Sequence, residues 1–190
     1  REVWAYPITF FPRKWLTNNY VTLFSNKTLD YTKALLNTGF VAVIHTVLTL
    51  FIETMAAYAY ARLNFPYKKL FWRVTLFTMF IPNIAILLTS FVVVRQMGML
   101  NSLWALIVPS LAGAGGIFFY RQFFLNIPMS MEEAALVDGA SRFRIYWEVF
   151  LPHARSPMVL LGTGCFIGCW NSFVWPSLTI MDPAKYQVMQ

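Results

Sequence analysis

Two ionisable side chains, His45 and Glu53, sit inside the first long apolar stretch of this sequence. Eight residues apart, they stand about 80° from one another around a helix, and an ionisable group within such a segment suggests function by default. A metal- or proton-handling membrane enzyme would want such a pair. It would also need a third ligand, an HExxH helix or an intramembrane serine motif, and none accompanies them. Interhelical hydrogen bonding is therefore the favoured role. Cys165 and Cys169, at i and i+4 of another apolar stretch, are too few for a disulfide framework and lack the neighbours a metal would need, so they read as packing residues. The run Gly113, Ala114, Gly115, Gly116 lacks the Lys that completes a phosphate-cradling GxxxxGK[ST] loop. Its small side chains suit close helix packing instead.

The elements that must carry these residues are membrane helices. The 190 residues are 58% hydrophobic and 12% charged, where a soluble domain carries about a quarter charged residues. The net charge of +7 does not indicate nucleic acid, because the Lys and Arg residues lie between apolar segments and form no stripe interleaved with aromatics. They fit membrane-flanking loops. Four stretches approach the roughly 20 residues needed to span hydrocarbon: about 34–61, 71–94, 102–124 and 158–180. Pro82 predicts a kink in the second. Residues 1–33, polar and aromatic, read as an ordered segment outside the membrane, with no signal peptide visible. The fold class expected is an all-α, polytopic helical bundle. Basic residues divide almost evenly between the two sides, so charge alone does not orient it.

Between the third and fourth spans, residues 125–157 form a polar interval too charged for lipid. Pro128 to Val137 reads as a short helix, with proline at its start, Glu132 and Glu133 in its first turn, and the helix formers Ala134, Ala135 and Leu136. Gly139 supplies a tight turn. A second amphipathic helix, Ser141 to Phe150, follows and is closed by Leu151 and Pro152. A helix–turn–helix of this kind projects into water and offers its small-residue face to a partner.

These residues resemble a known family. Glu133, Ala134, Ala135, then Asp138, Gly139, Ala140, then Leu151, Pro152 and Pro157 resemble the EAA motif of bacterial ABC-importer permeases. Ala56 to Leu63 (AAYAYARL), Ile117 to Phe124, and Trp170, Asn171, Phe173, Trp175, Pro176 are similar to segments of the carbohydrate-uptake group, which includes the smaller maltose permease subunit. Ser172 departs from the acidic residue common at its position. Family members usually have six spans, and the four seen here align with the second to fifth, so the chain is expected to be a transmembrane domain incomplete at both ends.

The resemblance implies an orientation and a mechanism. The EAA loop would be cytoplasmic, and residues 1–33, 95–102 and 182–190 external, in a multi-pass protein of the bacterial cytoplasmic membrane. Its short helix would dock in a cleft of an ATPase: Glu133 pairing with a basic group there, Ala134 and Ala135 allowing close approach, Gly139 permitting the turn, and Asp138 either contributing or capping the second helix. The implied partners are a sister permease, two ABC ATPase subunits and an extracytoplasmic solute-binding protein. ATP and Mg would belong to the ATPase, leaving this chain without cofactor or covalent chemistry. The solute, a sugar or oligosaccharide, would pass between the two permeases near mid-membrane, where Trp170 could stack on a sugar face beside the hydrogen-bonding Asn171, with Asn83 a further candidate. A permease for a non-sugar solute such as a peptide or phosphonate is the alternative. An ion-driven carrier would have no need of the docking helix.

Overall fold

A computed structural model describes residues 17–25 and 30–189; expectations for residues 1–16 and 26–29 lie outside these. Helix α1 (Asn18–Ser25) precedes the long helix α2 (Tyr31–Arg62). Asp30 starts α2 by accepting the Lys33 N–H at 3.0 Å, the side-chain cap that a free helix N-terminus requires. At 1.5 Å per residue, the 32 residues of α2 reach about 48 Å, further than the roughly 30 Å hydrocarbon core. α2 serves as the central shaft of the described fold, with α6 (Ala114–Leu125) and α10 (Arg155–Trp170) packed along it.

By length and composition, α2 alone among the described helices could cross a membrane unaided. The expected span 71–94 is a pair, α3 (Lys68–Thr78) and α4 (Asn83–Gln96), bent by 107°. Pro82 causes a break deeper than a kink. It forces Ile81 away from helical geometry and has no N–H of its own, and its extended backbone (ψ 131°) ends one helix and begins the next. The expected span 102–124 also comes in pieces: α5 (Trp104–Ile107), a 3-10 turn through Pro109, extended backbone at Gly113, then α6. Likewise α10 stops at Trp170, and α11 (Val174–Thr179) follows. Irregular backbone at membrane depth persists where protein or a cavity satisfies its polar groups.

Glu53 satisfies one such group. Its carboxylate, buried on α2, accepts the Gly113 N–H at 3.0 Å and so caps the N-terminus of α6 from another helix. A Cβ at Gly116 would overlap that carboxylate, which gives the glycine run its physical reason: α6 approaches α2 only because side chains are missing there.

At one end of α2, the chain around Asn101 and the segment 180–188 are tied together. Asn101 Oδ1 accepts the Met181 N–H at 2.6 Å, Asn37 donates to the Ala184 and Tyr186 carbonyls, and Val188 N–H donates to Thr38. At the opposite end an aromatic core binds α2 to α6 and to the polar interval. Tyr58 and Phe150 lie 4.8 Å apart by ring centroids, Phe150 meets Phe124 edge-on at 5.4 Å, and Tyr146 shares a 2.9 Å hydrogen bond with Thr54. Ala57 and Ala154, both fully buried, leave room for these rings.

Glu53→Ala and Gly116→Ala are each expected to destabilise the detergent-solubilised protein by about 1–3 kcal/mol, through the orphaned Gly113 N–H or the displaced carboxylate. Because both act on one contact, the double variant should be markedly less destabilised than the sum. Additive shifts in melting temperature would contradict the capping role.

Candidate docking hairpin and cavity

The polar interval folds as α7 (Met129–Val137), a turn at Gly139, α8 (Arg142–Ile145), a π-helical turn over Tyr146–Phe150 and α9 (Leu151–His153). Gly139 has φ +78°, the left-handed geometry that glycine adopts without cost. Ser141 caps α8 by accepting the Arg144 N–H, and Arg144 pairs with Glu148 on the open surface. Leu151 and Pro152 do not close this helix, as its sequence suggests, but continue it. Pro152 cannot donate to the carbonyl four residues back, and the preceding π turn shifts the register to accommodate it.

The five residues expected to dock lie together on this hairpin. Glu133, Ala134, Asp138 and Gly139 are exposed and Ala135 is half-buried. Asp138 is the C-terminal cap of α7, its N–H bonded to the Ala134 carbonyl, and Ser141 takes the capping role at α8. Glu132, one position earlier and so about 100° around the helix, points inward and is 2% exposed. Its carboxylate meets Arg142 at 2.5 Å across the hairpin and Arg62 at 3.8 Å at the end of α2.

Arg62 gathers several elements. Its guanidinium donates to the Phe124 carbonyl at 2.7 Å and to the Ile127 carbonyl, touches Met129 Sδ at 3.1 Å, and lies 5.1 Å above the Phe150 ring. One cation thus closes the free carbonyl end of α6 while pairing with α7. Nearby, burial pushes the Tyr146 hydroxyl above the usual tyrosine range, partly offset by its bond with Thr54, so it stays protonated at the centre of this core. The sequence marked Glu132 only as a first-turn acid and gave no role to Arg62 or Arg142. The available signal was the pair of adjacent acids, which a helix must send to different faces.

A cavity of about 680 Å³ opens where the broken helices meet. Asn83, at the start of α4, lines it together with His45, Ser90, Ser110, Ser172 and Trp175. His45 Nε2 is 2.9 Å from Ser110 Oγ, and its Nδ1 is 3.4 Å from Cys165 Sγ. This is the interhelical hydrogen bonding its position suggested. Trp170 and Asn171 are not among the lining residues: Trp170 stacks on Phe166 at 5.7 Å, and Asn171 caps α10 at the exposed surface. In the same segment Ser172 and Trp175 take the cavity positions, because the break after Trp170 turns the chain. Trp175 is held there by donating to the Ala105 carbonyl at 2.9 Å. Among the described residues no group of three His, Cys, Asp or Glu side chains could hold a metal.

The described helices form a broken-helix bundle around a central shaft, with a charged hairpin held at one end. The chain belongs to the family described as binding-protein-dependent transport system inner membrane component, which matches residues 53–190. It is 30% identical over 186 residues to the sn-glycerol-3-phosphate transport system permease protein UgpE of Pectobacterium atrosepticum, covering 96% of this chain and 66% of that protein. The corresponding Salmonella typhi protein is 31% identical over the same shares. A solved bacterial ABC transporter involved in import of the acidic polysaccharide alginate superimposes with TM-score 0.79 at 26% identity, over 89% of this chain and 59% of that one. The chain therefore spans just under two thirds of the length of these curated relatives.

Arg62→Ala would take the guanidinium donor from the Phe124 and Ile127 carbonyls, while Glu132 keeps Arg142. A hydrogen bond to a charged group contributes about 1.5–3 kcal/mol, and a large drop in detergent melting temperature is the expected result. A shift no greater than that of an exposed substitution such as Arg73→Ala would contradict the geometry.

Proposed function

We propose that this chain is a permease subunit of an ATP-driven ABC importer in the bacterial cytoplasmic membrane, passing a sugar or a sugar-like, hydroxyl-rich solute. The observation that carries the reading is the two-faced helix α7, exposed through Glu133, Ala134 and Asp138 and locked inward through Glu132. A charged surface beside small side chains, held rigidly at the end of the transmembrane shaft, suits close docking of a soluble partner. That partner is an ABC ATPase, which binds and hydrolyses ATP with Mg while this chain performs no covalent step. Two ATPase copies, a sister permease and an external solute-binding protein complete the transporter.

The solute path runs along the cavity. Hydroxyls of Ser90, Ser110 and Ser172 and the Asn83 carboxamide offer hydrogen bonds beside the Trp175 indole. Sugars present hydroxyls and apolar CH faces to such a wall, and a few directed polar groups on an apolar lining are what a selective site requires. Similarity to glycerol-phosphate permeases and to an alginate importer supports a polyhydroxy solute. Trp170 and Asn171, outside this cavity, become contacts only in another conformation of the path.

Co-purification of the ATPase with Glu133→Lys tests the docking role. Loss of a charge-assisted contact, about 1.5–3 kcal/mol, should weaken association roughly tenfold or more, and ATP-dependent uptake should fall with it. Wild-type association and uptake would overturn the docking role.

A further inference from the structure

Glu133 faces outward and Glu132 inward, so the two acids of α7 cannot share a task. The structure surrounds Glu132 with links rather than with a surface. On one side, its carboxylate reaches Arg142 at the first turn of α8 and so closes the hairpin across the Gly139 turn. On the other, it forms a looser ion pair, 3.8 Å and without a hydrogen bond, with Arg62 in the last turn of α2. The same Arg62 guanidinium holds the carbonyl end of α6 through Phe124 and the link beyond it through Ile127. The α7 backbone itself makes no hydrogen bond to α2 among the described residues. A push on α7 therefore reaches the shaft through this carboxylate, through the contact of Met129 with Arg62, and through the packing of Tyr58, Phe124 and Phe150 beneath it.

We propose that Glu132 is the positioning residue that transmits displacement of the docking helix to α2 and α6, in a role separate from docking itself. The inference rests on the ATP-driven reading above. It assigns the two neighbouring carboxylates different duties: Glu133 engages the ATPase, and Glu132 makes that engagement move the membrane helices. Buried charges suit the second task. The 2.5 Å pair with Arg142 gives the carboxylate one direction and one partner, so that α7 and α8 move together.

The test uses the complete complex, with ATPase, sister permease and solute-binding protein, in proteoliposomes. Uptake of labelled maltose, maltotriose or sn-glycerol 3-phosphate, whichever the wild type accumulates, is measured together with ATP hydrolysed. Glu132→Gln keeps the shape and one hydrogen bond to arginine but removes the charge. Its uptake per ATP should fall roughly fivefold or more, within the usual range of coupling between sites, while the ATPase still co-purifies. Arg142→Gln, half exposed and less disturbing to the fold, should lower the ratio in the same direction by less. A wild-type ratio in both variants would overturn the inference, as would release of the ATPase from Glu132→Gln, which would make Glu132 part of docking. Failure of the ATPase to co-purify with the wild-type chain would instead defeat the importer reading on which the inference stands.

Discussion

Everything at the hairpin end of this molecule depends on where the Arg62 guanidinium can find partners. A cation in the last turn of a helix 32 residues long, 7% exposed, cannot remain unpaired. It has five donors in a planar fork, and the chain answers with carbonyls from α6, a carboxylate from α7 and the face of Phe150. Those partners lie at the end of α6, in α7 and in the π-helical turn. Satisfying one side chain therefore fixes how the third helical segment, the hairpin and the end of the shaft sit relative to one another. The exposed face of α7 follows from this, since Glu132 held inward leaves Glu133 and Ala134 facing out.

The middle of the molecule obeys the same rule with different chemistry. Prolines and glycines break three of the four apolar segments, and each break frees backbone groups that lipid cannot satisfy. Glu53 supplies the missing acceptor at Gly113, His45 bonds to Ser110, and Trp175 donates to Ala105. The cavity lies among these breaks, so the irregularities that would weaken a simple bundle create its interior polar lining. Protein interiors of this kind transmit displacement because packed elements have few alternative arrangements.

Much of this was legible in the residues themselves. The hairpin could be read from Pro128, the acidic first turn and Gly139, since each acts locally through backbone geometry or the helix dipole. Close approach at Gly113–Gly116 was readable for the same reason, although its partner, the Glu53 carboxylate, was not. Pro82 showed a disturbance but not its size, because a kink and a 107° break differ in what surrounds them. Glu132 and Arg62 lie 70 residues apart, and only tertiary packing brings them together. Trp170 and Asn171 drew attention as a sugar-contacting pair, yet the break that follows them carries Ser172 and Trp175 to the cavity instead, a rotation no local pattern records.

Amide hydrogen exchange across residues 129–137, compared between the wild-type protein and Arg62→Ala, tests most directly whether this one cation holds the hairpin to the shaft. Loss of the link should expose α7 to local opening and speed its exchange roughly tenfold or more, while amides in α10 keep their protection. Unchanged exchange in α7 would mean that the aromatic core alone holds the hairpin in place, and the account built on Arg62 would fail.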